Sequence, residues 1–165
     1  MKGIVIEGAN MPPLRLENCT QTITHQGQDH LRRTVNGVMK ATALDTSIRY
    51  ATTIQCAGAA LPSLGGMHVG QRVRIQSIQR LWQTGQKDGL SLARPAVSGS
   101  VLVLNSQNEV IPHDQIGNQI IPQFLGRPYF VGYCPILTAC VVDVTMTCGM
   151  GGLDQVWMLT AEETL

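Results

Sequence analysis

The side chains of this chain that could do chemistry are its histidines, cysteines and carboxylates, and their spacing decides what each could do. Metal binding needs converging His, Cys or Asp/Glu ligands. His25 and His30 lie five apart in "HQGQDH" with Asp29 between them. On a helix that interval aligns them poorly, and on a strand opposite parity separates them. His68 and the His113-Asp114 pair stand alone. All four histidines therefore read as surface or turn residues. Five cysteines, Cys19, Cys56, Cys134, Cys140 and Cys148, include no C-x-x-C pair, so neither a zinc ribbon nor a thioredoxin-type redox pair fits. They read as reduced, buried thiols of a protein made in the cytosol.

Nucleophilic catalysis needs a Ser, Cys or Thr beside a base in a strained or helix-capping context. No G-x-S-x-G is present, and Cys148 precedes "GMGG" with a hairpin strand, not a helix, expected after it. No helix dipole would then lower its pKa, and it reads as a core cysteine. Eleven acids are scattered without focus, so no glycosidase-like carboxylate pair stands out. Phosphate-cradling loops place glycines between a strand and a helix N-terminus; "LGG" and "GMGG" lack the helix and serve turns. The sequence assigns no catalytic, cofactor-binding or metal-binding residue and no cofactor, and the protein is expected not to be an enzyme.

Arg32 and Arg33 form one basic pair, and Arg72, Arg74 and Arg80 could form another patch. Phosphate recognition shows an excess of basic charge, and here the formal net charge is only +1. Aromatic residues make up 4% of the chain, too few for a base-stacking platform. No specific nucleic-acid partner is expected. Trp82 and Trp157 read as core anchors or interface hot spots.

The elements that must position these residues are strands. At 165 residues the chain, 1–165, suits one β-rich domain. Alternation is the dominant pattern. In "SIRYATTIQC", Ile48, Tyr50, Ile54 and Cys56 face one way and Arg49, Ala51, Thr53 and Gln55 the other. "QRVRIQS" sets Val73 and Ile75 opposite Arg72, Arg74 and Gln76. "CVVDVTMTC" puts Cys140, Val142, Val144, Met146 and Cys148 inward, with Asp143, Thr145 and Thr147 outward. Asn36-Gly37 in "RRTVNGVMKAT" predicts a two-residue hairpin loop, because both positions tolerate positive φ. "CGMGGLD" should return into "QVWMLTAEE", "SVLVLNSQNEVIP" should bend at Asn105–Asn108, and Leu61–Gln71 is a Gly/Pro-punctuated connection. Residues 84–99 and 112–128 are irregular and read as extended loops or arms suited to docking, or else as hiding short strands or helices. The expected fold is all-β, an antiparallel sandwich or partly open barrel with hairpins and long irregular arms.

Composition bears on how such a fold meets its surroundings. Charged residues are only 14%, against roughly a quarter in typical soluble domains. Fourteen Gln and fourteen Thr supply the polarity instead, and Lys2, Lys40 and Lys87 are the only lysines. Interface cores are depleted in charge because desolvating an ion is costly. A neutral surface therefore suits a chain packed against copies of itself or other proteins. "MKGIVIEGAN" fails as a signal peptide, being interrupted at Glu7. The apolar stretch Val131 to Met146 contains Pro135 and Asp143 and falls short of a span, so no membrane insertion is expected.

In order and spacing, the chain resembles small virion proteins of tailed bacteriophages, of the tail-tip or baseplate kind. Arg33, Thr34, Asn36 and Gly37 match an R-T-x-N-G hairpin, Tyr50 and Ile54 a Y-x-x-x-I strand, and Pro62, Leu64 and Gly66 a P-x-L-x-G turn. Pro135, Leu137 and Val141 match a P-x-L-x-x-x-V strand, and Trp157, Glu162 and Glu163 a final strand ending in acids. The resemblance implies a structural tail subunit, made in the bacterial host cytoplasm and located in the virion. Its partners would be copies of itself and other virion proteins, and these positions would shape strands and turns without catalytic roles. A head component (capsid decoration or head-tail connector) and a carbohydrate- or receptor-binding β-module are the alternatives.

Overall fold

The computed structural model describes residues 3–8, 11–26, 29–33, 35–36, 39–43, 48–57, 67–85, 89–123, 128–148 and 155–164. The described residues hold fifteen strands and no helix, as expected of an all-β chain. The strands are β1 (Ile4–Gly8), β2 (Met11–Leu16), β3 (Cys19–Gln26), β4 (Asp29–Arg33), β5 (Met39–Ala43), β6 (Arg49–Ala57), β7 (Arg72–Gln76) and β8 (Leu81–Gly85). They continue with β9 (Leu90–Ser91), β10 (Leu102–Leu104), β11 (His113–Ile116), β12 (Gln119–Pro122), β13 (Tyr129–Tyr133), β14 (Ile136–Cys148) and β15 (Gln155–Glu163). Seven form one curled half-barrel sheet in the order β2-β1-β7-β14-β15-β6-β3; β10-β13-β8 and β11-β12-β9 form two three-stranded sheets, and β4-β5 a hairpin.

Alternation sets the inward faces. Val73 and Ile75 are buried while Arg72 and Arg74 face water, and Ile54 and Cys56 are buried with Gln55 exposed. The main core gathers Ile4, Ile6, Ile54, Val73, Ile75, Val141, Trp157 and Leu159; a second gathers Leu92, Val103, Ile111, Ile120, Tyr129, Val131 and Tyr133. Segments 84–99 and 112–128, read from sequence as arms, contain β9, β11 and β12. Leu92, Val97 and Ile120 from them are buried within the chain itself.

One ribbon joins the two cores. β7 pairs with β14 as far as Gln76↔Ile136, and β8 pairs with β13 from Leu81↔Tyr133. Between those pairs, Ser77–Arg80 lies against only Cys134 and Pro135, held by Ser77 N–H donating to Pro135 O at 3.0 Å. The extra residues on one strand bend the ribbon, as bulges do, and carry it from one sheet to the next. At the opposite edge, β3 reaches this bend through side chains. Gln21 Nε2 donates to Thr52 Oγ1 (2.9 Å) and Ser77 Oγ (3.2 Å), its Oε1 accepts from Ile78 N–H (2.9 Å), and Gln79 Oε1 accepts from Ile23 N–H (2.7 Å). Thr52 and Ser77 are fully buried, so these bonds satisfy polar groups that water cannot reach.

Three expectations are corrected. Leu137, Ala139 and Val141 face inward on β14, and Val142 is exposed. Val141 pairs with Ala161 and Asp143 with Thr160, so Val142 is an inserted bulge residue. The bulge resets the alternation, after which Val144 packs against the core while Met146, on the same face, is half exposed. The 29–43 hairpin forms, but Arg33 lies opposite Met39, whereas a two-residue Asn36-Gly37 loop would bring Thr34 there. The register is thus one residue off the expected turn. Cys19 and Cys56, directly opposite on β3 and β6, form a disulfide with Cα atoms 4.3 Å apart, while Cys134 and Cys140 are free thiols. Of the two tryptophans read as core anchors or interface hot spots, Trp157 is fully buried, and Trp82, 51% exposed, is not a core anchor. The C-terminal hairpin β14–β15 and the bend at Asn105–Asn108 stand as expected; Asn108 takes φ 63° and donates to Asn105 O. Pro62, Leu64 and Gly66 lie outside the described residues.

Gly85 tests the packing of the second core. A Cβ there would come within 2.2 Å of the ring of Tyr129, which is 1% exposed. Gly85→Ala should destabilise the protein by about 1–3 kcal/mol through overpacking, read as a lowered urea midpoint.

Candidate functional site

The chemistry that the structure does bring together lies where the seven-stranded sheet meets the β8–β13 ribbon. A pocket of about 470 Å³ is lined by His25, Ile48, Tyr50, Arg80, Leu81, Trp82, Gln83, Ala93, Arg94 and Tyr133. Behind its Arg94 wall lies a buried charge. Glu163 continues the inward series Trp157, Leu159 and Ala161 on β15, so alternation drives a carboxylate into the interior. Its side chain is 4% exposed, and a buried carboxylate needs full pairing.

Arg94, from the connection between β9 and β10, supplies that pairing as a two-pronged donor. Its Nε bonds Glu163 Oε1 in a very short contact, and its NH2 bonds Glu163 Oε2 at 2.9 Å. The remaining prongs reach Ile48 O at 2.7 Å and Ala93 O at 2.8 Å. Tyr50 N–H also donates to Glu163 Oε2, at 3.1 Å. The hydrogen bonds that Arg94 donates to Glu163 raise its pKa further above its already high value, so the cation is permanent. Arg94 stands 5.6 Å from the Tyr50 ring centroid, and the His25 ring, tilted to that of Tyr50, lies 5.0 Å from it between centroids. Burial raises the Tyr50 phenol, with Arg94 opposing and Glu163 adding to it. Burial likewise raises Tyr133, opposed chiefly by a backbone hydrogen bond from Arg94.

The rim is built on a glycine. Trp82 lies opposite Gly132 on β13, and a Cβ at Gly132 would come within 2.8 Å of its indole and 2.7 Å of the Arg80 chain. With no side chain there, the indole and the Arg80 stem fold over the backbone of β13 while the ring stays half exposed. Arg80 NH2 donates to Ser100 O at 3.3 Å, and Gln83 Oε1 accepts from Ala93 N–H at 3.3 Å.

Of the residues considered in sequence, only His25, Arg80 and Trp82 meet here, along with Tyr50 and Glu163 from the resemblance. Asp29 and His30 sit on β4, His113 and Asp114 on β11, and Arg72 and Arg74 on β7, where Arg74 approaches Glu7 at 3.8 Å. No group of three or more metal-ligating side chains exists among the described residues. Arg94 was missed because its segment showed no periodicity. Glu163 had a signal, the parity of β15. Comparison with known proteins finds no family model that matches the chain, and no curated protein that matches it.

Removing one partner of a buried pair strands the other charge. Arg94→Met should therefore cost about 3–5 kcal/mol in urea unfolding, and Arg94→Met with Glu163→Leu should recover a large part of it. The tyrosines set the alkaline limit. Unfolded phenols ionise near 10.0, whereas Tyr50 and Tyr133 ionise above that value when folded. Their contribution is complete below pH 10.0 and is lost as pH rises from there through the raised values. The urea midpoint should fall above about pH 10, and less steeply in Tyr133→Phe.

Proposed function

We propose that this chain is a non-enzymatic structural subunit of a tailed-bacteriophage particle, in its tail or tail tip, and that it acts by assembly. The observation that carries the reading is a neutral patch on the outer face of the seven-stranded sheet. Four neighbouring strands, β3, β6, β15 and β14, present the rows Thr20–Gln55–Met158–Thr145 and Thr22–Thr53–Thr160–Asp143. A third row, Thr24–Ala51–Glu162, lies beside them, with Ala51 itself buried. These eleven positions hold two acids and no Lys or Arg, with Arg49 at the end of β6 and Arg72 and Arg74 on β7 bordering them on the same face.

A sheet face that only met water would ordinarily carry alternating charges, which cost nothing when solvated. Threonine, glutamine and methionine gain little there, but they are inexpensive to desolvate and can bond or pack across a contact. The two ends of the sheet add edges at β2 and β3, and edges are where further chains pair. Placement in a phage particle rests on the hairpin, turn and terminal-strand pattern described above; assembly rests on the neutral face. No helix of the structure is long and apolar enough to cross a membrane among the described residues.

The test joins mass photometry of the purified chain with detection in purified virions. A standard contact buries about 1,600 Å², and oligomers together with presence in the particle are expected. Thr53→Arg combined with Met158→Arg should shift the protein toward monomer while its circular dichroism is unchanged. A chain that is monomeric at every concentration and absent from virions overturns the reading.

A further inference from the structure

We infer that the pocket at the sheet junction is a saccharide-binding site, with Trp82 as its stacking platform. This goes beyond the assembly reading and does not depend on it. Three observations select the ligand chemistry.

The first is the indole. Small-molecule sites combine apolar walls with a few convergent polar groups, and the Trp82 indole, lying over Gly132 at the pocket rim, is half exposed. Half of a large apolar ring left in water is costly unless something covers it. The axial C–H face of a pyranose is a flat, weakly apolar surface that matches it.

The second is the set of unspent polar atoms. Tyr50 Oη, the His25 ring nitrogens and Gln83 Nε2 line the pocket and make no hydrogen bond among the described residues. They include both donors and acceptors, which is what adjacent sugar hydroxyls require.

The third is the state of the charges. Arg94 is committed to Glu163, Ile48 O and Ala93 O, so it cannot clamp a phosphate as well. Arg80 remains as a rim cation with one bond to Ser100 O. A polyanion would find one free cation among the described lining residues, and a purely apolar ligand would bury the Tyr50, His25 and Gln83 polar atoms unpaired. A hydroxyl-rich ligand of one to two rings satisfies both sides, and about 470 Å³ is within the usual range for a small-molecule site.

The test is intrinsic fluorescence of the full chain, titrated separately with maltotriose, chitotriose, mannotriose and a hexuronate-containing trisaccharide. The chain has two tryptophans, and Trp157 is fully buried, so a saturable spectral change reports on Trp82. At least one of these sugars should give such a change. Trp82→Ala should weaken binding of that sugar, followed by calorimetry, by about tenfold or more. Gln83→Leu serves as a second variant should Trp82→Ala not fold, and should weaken binding severalfold. Thr53→Arg, on the outer face, should leave it unchanged. Failure of all four sugars to alter the spectrum or give heat overturns the inference, as does undiminished binding by a folded Trp82→Ala or Gln83→Leu protein. Oligomer formation is read in neither measurement, so loss of this site and loss of the assembly reading are separate results.

Discussion

The junction of the two sheets depends on one buried carboxylate. Glu163 lies where alternation along β15 would ordinarily place another apolar side chain, and its charge there is tolerable only because three donors converge on it. Arg94 comes from the connection after β9, Tyr50 N–H from the start of β6, and the carboxylate from the end of β15. One ion thus fixes the relative position of three chain segments. Nearby backbone bonds support the same junction: Ile136 N–H donates to Pro95 O at 2.8 Å and Val97 N–H to Cys134 O at 2.9 Å. An apolar residue at 163 would remove the desolvation cost but also the directionality. Hydrophobic packing alone does not specify which loop lies over the sheet end, whereas a two-pronged guanidinium–carboxylate pair does.

Bend and closure are solved by similar means. The ribbon of β7/β14 and β8/β13 turns where Ser77–Arg80 outnumbers Cys134–Pro135, and a proline at that point cannot donate to a ladder in any case. The edge strand β3 does not complete a ladder with this bend. Gln21 and Gln79 make the connection with side-chain amides, which satisfy the backbone N–H groups of Ile78 and Ile23. The sheet therefore remains a half-barrel held by glutamines, with the Cys19–Cys56 bond fastening β3 to β6 beside them. The abundance of glutamine, which reads from composition as surface polarity, has in part this interior use.

Alternation made much of this fold legible in the sequence. Val73, Ile75, Ile54 and Cys56 declare their faces, as do the β14–β15 hairpin and the Asn105–Asn108 bend. Alternation also misled where its phase changed. Nothing in "CVVDVTM" marks Val142 as the inserted residue, because Val, Cys and Ala are at home on either face, and the bulge is decided by the partner strand. The disulfide was hidden for a related reason: Cys19 and Cys56 become neighbours only once β3 and β6 are paired, and spacing along the chain does not encode that. Of the site, Tyr50 and Glu163 carried a parity signal. Arg94 carried none, since its position is set by contacts on both sheets and by no local period. Trp82 is the reverse case, a residue whose size suggests burial but whose cross-strand partner, Gly132, leaves it at the surface.

The same alternation divides the chain's two candidate surfaces. On β3, β6 and β15, Thr24, Ala51 and Glu162 lie on the outer side, while their immediate neighbours His25 and Tyr50 line the pocket and Glu163 is buried behind Arg94. A pleated strand cannot turn one of these sets without turning the other. The neutral threonine face and the aromatic-lined pocket are consequently opposite sides of one sheet end, each fixed by the register that fixes its counterpart. A neighbour could cover the outer face without covering His25 and Tyr50. The strand geometry thus permits a packed subunit to keep a small-molecule site on the other side of the same residues, and the buried Arg94–Glu163 pair holds that side in shape.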